Sequence, residues 1–181
     1  MATELQRLIT LCKEHDPSFE ISLNDQWGSN SDGHRLLIRK NLLERFPNEA
    51  AFMDLSKPPR PLSHSVSISH TQNLGGWVAT LRPHQIGFDL EFTERIKRPA
   101  VERICDEKEL EACADFPRLW GAKESLFKAL EDGQPDVISK VKVHRWAELG
   151  PSLYSFESLS YPYASGLSLR SGALIYSICL L

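Results

Sequence analysis

The 181-residue sequence has no apolar run long enough to cross a bilayer, no paired cysteine motif and no surplus of basic charge. In the opening stretch, MATELQRLITLCKEHD, charges interrupt every apolar run, so it reads as neither a signal peptide nor a membrane span, and a cytoplasmic location is expected. The four cysteines, Cys12, Cys105, Cys113 and Cys179, lack C-x-x-C spacing and a neighbouring histidine at zinc-ligand distance, which leaves idle reduced thiols. A formal net charge of −3 gives no general attraction to nucleic acid or to an anionic membrane. Any phosphate binding must therefore come from a local basic cluster. Disorder is excluded by 41% hydrophobic against 25% charged residues. No segment has linker composition, so residues 1–181 form one unit too small for two ordinary independent domains.

What the sequence does contain is a regular alternation of helical and strand periods. Leu5, Leu8, Ile9 and Cys12 recur at helical spacing up to Asp16-Pro17, and Phe19, Ile21 and Leu23 alternate as in a strand. Leu36 to Phe46 predicts a second helix with Ser31 or Asp32 as its cap. After the non-helical Lys57-Pro58-Pro59-Arg60-Pro61, strands are predicted at 66–70, 76–81 and 86–91. Helices at 99–114 and 117–131 follow, then strands near 138–146, 153–156, 166–170 and 173–180. The second half repeats the order of the first. This predicts an α+β fold, a pseudo-dimer of two similar lobes, about 1–84 and 85–181, each an antiparallel sheet with helices packed on one face.

Several segments carry residues suited to chemistry. Gly87-Phe88-Asp89-Leu90-Glu91 ends a strand with two carboxylates two residues apart, hence on one face, where hard oxygens suit magnesium. A solvated strand end would read the same way. Trp120, Glu124 and Lys128 lie on successive turns of one helical stripe, at the border of core and solvent. Ser69 and His70 close another strand with donors for phosphate oxygens, and Lys57 and Arg60 sit in the proline-stiffened segment.

As an ordered set, His34-Arg35, Lys57-Pro58, Ile68-Ser69-His70, Gly87-Phe88-Asp89-Leu90-Glu91 and Trp120 with Lys123-Glu124-Ser125 and Lys128 resemble the 4'-phosphopantetheinyl transferase family, the two-lobed surfactin-synthetase-activating type. The resemblance implies transfer of the 4'-phosphopantetheine group from coenzyme A to a serine of an apo acyl or peptidyl carrier protein, with Mg2+ as cofactor. It implies Asp89, Glu91 and Glu124 as metal ligands, and Glu124 and Lys128 as catalytic groups. Arg35, Lys57, Ser69, His70, Lys123 and Lys128 would contact coenzyme A. The base would be Glu124 or a water on the metal. A monomer is expected, because two lobes already supply the interface. The rival readings are a magnesium-dependent phosphohydrolase and a non-catalytic coenzyme A-binding protein.

The departures are local. Trp27 to Gly33 contains no lysine or arginine, where family members carry a basic cluster for the nucleotide 3'-phosphate, and Leu36 stands where they have threonine. Glu131-Asp132-Gly133-Gln134-Pro135 replaces a glycine-rich turn, and the short first lobe suggests a trimmed variant.

Overall fold

The computed structural model describes residues 2–130 and 135–181. The first lobe contains α1 (Ala2–His15), β1 (Glu20–Asn24), α2 (His34–Arg45), β2 (His64–His70) and β3 (Gly75–Leu81). Its antiparallel sheet has the order β1-β3-β2. The second lobe begins with β4 (Ile86–Phe92), α3 (Arg98–Ile104), α4 (Glu107–Ala112) and α5 (Phe116–Ala129). It ends with β5 (Val143–Gly150), β6 (Leu153–Ser158), β7 (Ser165–Ser171) and β8 (Leu174–Leu180), in a sheet ordered β4-β8-β7-β6-β5 and antiparallel throughout. The expected α+β fold of two antiparallel sheets and their helices is therefore the observed one.

Boundaries differ where local chemistry overrides the period. Neither Ser31 nor Asp32 caps α2; the N-cap is Gly33, at φ 69°, with no side-chain hydrogen bond. Glycine takes this left-handed conformation without a Cβ penalty, so the chain turns into the helix directly. The helix expected at 99–114 breaks at Cys105. Asp106 starts α4 with a capping box, its carboxylate accepting from the Glu109 amide while the Glu109 carboxylate accepts from its own. Ile138–Lys140 is a short 3-10 turn closed by the Val141 amide on the Ile138 carbonyl, and the strand starts only at Val143. The helix predicted to Glu131 ends at Ala129; Glu131 itself and the rest of the substituted turn through Gln134 lie outside the described residues.

Each sheet carries a long helix, α2 or α5, on its outer face. Ile38 and Leu42 of α2 pack with Trp77, Ala79 and Phe52 over the first sheet. Leu119, Ala122, Leu126 and Ala129 of α5 pack with Phe156 and Cys179 over the second. Between the inner faces, Leu8 and Cys12 of α1 join Val78, Phe88, Leu90 and Ile178 in one shared core. Thus α1, first in the sequence, packs against the second sheet, and its contacts reach β7.

The seam between the lobes is made of hydroxyls. β4 is an edge strand, and its amides at Ile86, Phe88 and Leu90 donate to the side-chain oxygens of Ser65, Ser67 and Ser69 at 3.1, 2.9 and 3.0 Å. Alternate residues of a strand share one face, so three serines two apart on β2 meet three alternate amides on β4. All three serines are buried, so each amide depends on its hydroxyl. The Ser67→Ala variant leaves the Phe88 N–H without an acceptor and is expected to lose about 1–3 kcal/mol, read from the urea midpoint at unchanged slope. A loss below about 0.5 kcal/mol, the range of an indifferent surface change, would show that the seam does not depend on this bond.

Candidate active site

The second lobe sets up the site by bringing α5 onto β4 closely. A Cβ on Gly87 would stand 1.8 Å from the Ser125 carbonyl oxygen, so only glycine allows this approach. Because Phe88 and Leu90 face the shared core, strand alternation turns Asp89 and Glu91 the other way, toward α5. Asp115 caps the start of α5 by accepting from the Arg118 amide, and Trp120, Glu124 and Lys128 follow on one stripe. Trp120 and Phe127 are half-buried against the α5 core, while Lys128 reaches the cleft.

Asp89, Lys128 and Ser69 are in direct contact. The Lys128 Nζ donates to Asp89 Oδ1 at 2.7 Å, to the Phe88 carbonyl at 3.1 Å and to Ser69 Oγ at 3.3 Å. Asp89 is buried, and its Oδ2 has no hydrogen-bond partner among the described residues. Glu91 Oε1 accepts from Thr71 Oγ1 at 2.5 Å, from the Phe92 amide at 2.8 Å and from Arg95 at 3.1 Å. Glu124, one turn before Lys128, is half-buried. Burial raises its carboxyl pKa; the Lys128 charge opposes that shift and Asp89 adds to it.

Asp89, Glu91 and Glu124 are the carboxylates that could hold a divalent cation, yet they do not stand as a ready cage. Among the described residues, no three histidine, cysteine or acidic side chains are close enough to hold an ion. The reason is visible in the partners: Lys128 occupies one oxygen of Asp89, and Thr71 and Arg95 hold Glu91.

A cleft of about 510 Å³ opens beside these groups, and Arg35, Lys57, His70 and Lys128 all line it. Arg39, Arg60 and Arg82 line it too, none of them picked out by the motifs as site residues except Arg60. Lys57 is largely exposed and pairs with Asp54 at 3.3 Å. His70 meets the His34 ring edge-on, with centroids 4.6 Å apart. Burial, then the charges of His34, Arg35 and Lys128, push its pKa below the ordinary 6.5, with Glu91 opposing.

The sign of that shift gives a test. A histidine whose folded pKa is depressed contributes fully above about 6.5, and its contribution is lost as pH falls through the lower folded value. His70 is therefore expected to be neutral at pH 7 in the free protein, and its proton uptake should move to higher pH when an anion enters the cleft. Ring-carbon NMR titration reads both; a free-protein midpoint at or above 6.5 would contradict this account.

Lys123 is a correction. Expected to contact coenzyme A, it is 0% exposed, with Nζ donating to Glu109 at 2.7 Å and to the Val141 carbonyl at 2.5 Å. One step along a helix rotates a side chain by about 100°, which carries Lys123 from the cleft side of Glu124 into the core. The four cysteines carry no disulfide, and burial raises Cys12 to about 12 and both Cys105 and Cys113 to about 11. They are not nucleophiles at neutral pH. The motif reading assigned the hydroxyls of Ser67 to Thr71 to phosphate oxygens and missed that Thr71, with Arg95, fixes Glu91; for Thr71 the spacing of Ser65, Ser67, Ser69 and Thr71, two apart along one strand face, was the available signal.

A carboxylate pair on a strand end, a lysine bound to one of them from a packed helix, and a basic cleft alongside are the parts of a phosphate-group transfer site. The family model for the 4'-phosphopantetheinyl transferase superfamily matches residues 85–179, and the chain belongs to that superfamily. It is accordingly a transferase of the phosphopantetheinyl type, with coenzyme A and a carrier protein as the partners that membership implies. No curated protein matches the chain. Among the described residues, no helix is long and apolar enough to cross a membrane.

Proposed function

We propose that this protein transfers 4'-phosphopantetheine from coenzyme A to a serine hydroxyl of an apo acyl or peptidyl carrier protein, with adenosine 3',5'-bisphosphate leaving. The observation that carries the reading is the contact of Lys128 with Asp89 and Ser69 at the edge of a cleft lined by Arg35, Lys57 and His70. Pyrophosphate is a polyanion, and a carrier serine approaches it only where that charge is offset. Lys128 meets a phosphate oxygen, and His70 and Lys57 hold the nucleotide side.

The donor set fits magnesium. Asp89 Oδ2 is a buried acceptor without a partner, the neighbouring acids are hard oxygen donors, and magnesium takes one or two carboxylates and keeps its waters, so a closed cage is not required. Asp89, Glu91 and Glu124 would hold it, and when bound it would supply charge neutralisation at the pyrophosphate. Glu124 takes the serine proton from its place one turn before Lys128 on the same helical stripe. The serine oxygen forms the new bond to phosphorus as the bond to the leaving bisphosphate breaks, and Lys128 stabilises the oxygen that departs.

Incubation with coenzyme A, magnesium and a panel of apo carriers from fatty-acid, polyketide and nonribosomal-peptide systems, read by intact mass, tests the proposal. One carrier should gain one phosphopantetheine group, and the bisphosphate should appear in equal amount. Nucleotide cleavage with unchanged carrier mass would replace the reading by a phosphohydrolase. Binding without either product would replace it by a non-catalytic coenzyme A-binding protein.

A further inference from the structure

Arg39 is a buried cation with a donor left over. It lies on α2 one turn after Arg35, both line the cleft, and Arg39 is 7% exposed. Its Nη2 donates to the Lys57 carbonyl at 2.7 Å, and its Nη1 is buried with no hydrogen-bond partner among the described residues. Burial lowers its pKa, with Asp54 opposing, yet a guanidinium stays charged at any pH the protein meets. The Asp54 carboxylate is engaged elsewhere, by Ser56 and Lys57. A charged donor without an acceptor is costly in a core, and its retention on a cleft wall points to a ligand that supplies the acceptor.

Resting on the reading of that ligand as coenzyme A, we propose that Arg39, with Arg35, receives the phosphate monoester on the nucleotide 3' position. Coenzyme A carries two kinds of phosphate. The pyrophosphate contains the bond that breaks, so it belongs with Lys128 and Asp89 on α5 and β4. Arg39 belongs to another wall of the same cleft, formed by α2 and the Lys57-Pro58 segment, and that wall fits the phosphate that does not react. A monoester presents three acceptor oxygens, matched by guanidinium groups at i and i+4 of one helix. This supplies from within α2 the grip that Trp27 to Gly33, without any basic residue, does not provide.

The test uses two nucleotides that differ only in the phosphate at issue, adenosine 3',5'-bisphosphate and adenosine 5'-monophosphate, titrated calorimetrically into the full chain. The parent protein should prefer the bisphosphate. Arg39→Gln should bind the bisphosphate roughly 10- to 100-fold more weakly, the scale of one lost charge-assisted bond, and the monophosphate nearly as before. If Arg39→Gln fails to fold for want of the Lys57 contact, Arg39→Lys keeps the charge without the planar fork and should lose a smaller part of the same preference. Equal weakening toward both nucleotides, or an unchanged preference for the bisphosphate in a folded variant, overturns the assignment to Arg39 and leaves the transferase reading standing. Failure of the parent chain to bind either nucleotide removes both readings.

Discussion

The Glu124→Gln protein is expected to transfer phosphopantetheine at least about a hundredfold more slowly than the parent chain, the scale of losing a positioned acid-base group. Its affinity for coenzyme A should change far less, because Lys57, His70 and Lys128 still line the cleft. Glutamine keeps the shape of the side chain and removes only the charge that both proposed roles need. No hydrogen bond holds Glu124 among the described residues, so the exchange orphans no partner and the fold should be retained. The lysine on its stripe stays paired with Asp89. Single-turnover transfer to a responsive carrier, beside direct coenzyme A titration, separates the two effects. Near-normal transfer by a folded variant would remove Glu124 from both metal binding and proton abstraction without touching the family assignment.

At Lys123, one helix position away, and at its counter-ion Glu109 on α4, the expected result is of another kind. Glu109→Gln should destabilise the protein by about 3–5 kcal/mol, because it strands the ammonium of Lys123 at 0% exposure with no carboxylate. Lys123→Met should cost less. Glu109 would keep the Lys142 ammonium at 3.3 Å and the amides of Val143 and Asp106 at 2.9 and 3.1 Å, so its charge remains compensated. Urea unfolding of both variants gives the ordering. Lys123→Met as damaging as Glu109→Gln would mean that Glu109 depends on Lys123 and that the remaining partners do not compensate it. Transfer by Lys123→Met, once folded, should be close to that of the parent chain, since the side chain does not reach the cleft.

The fold and part of the site were legible wherever the information is local. Ile86, Phe88 and Leu90 alternate without interruption, so β4 and the shared face of Asp89 and Glu91 follow from a period of two. The stripe of α5 follows from 3.6 residues per turn. Other features depend on partners far along the chain. The apolar residues of β2, Val66 and Ile68, suggest that theirs is the buried face, yet the serines are the more buried, because the amides of an edge strand wait on the other side. Lys123 looks like one more basic residue of a phosphate site; its counter-ion is on α4, and a pair between helices leaves no local period. Arg39 belongs to none of the motifs, and its partner, the Lys57 carbonyl, lies 18 positions along the chain. The expected cap of α2 failed for the opposite reason, since the adjacent glycine solved the turn without a side chain.

The row of hydroxyls on β2 also bears on which changes of length the chain can accept. The pairs Ser65 with Ile86, Ser67 with Phe88 and Ser69 with Leu90 keep a constant offset of 21 positions, and the same row continues into Thr71 on Glu91. Inserting or deleting one residue inside β2 would present valine and isoleucine methyl groups to β4 and orphan several amides together. Inserting two would restore the alternation but slide Thr71 one pair away from Glu91, leaving a sound sheet with a displaced carboxylate. The residue count of these two strands is therefore fixed along with their serines, and any drift in chain length must be taken up in the turns.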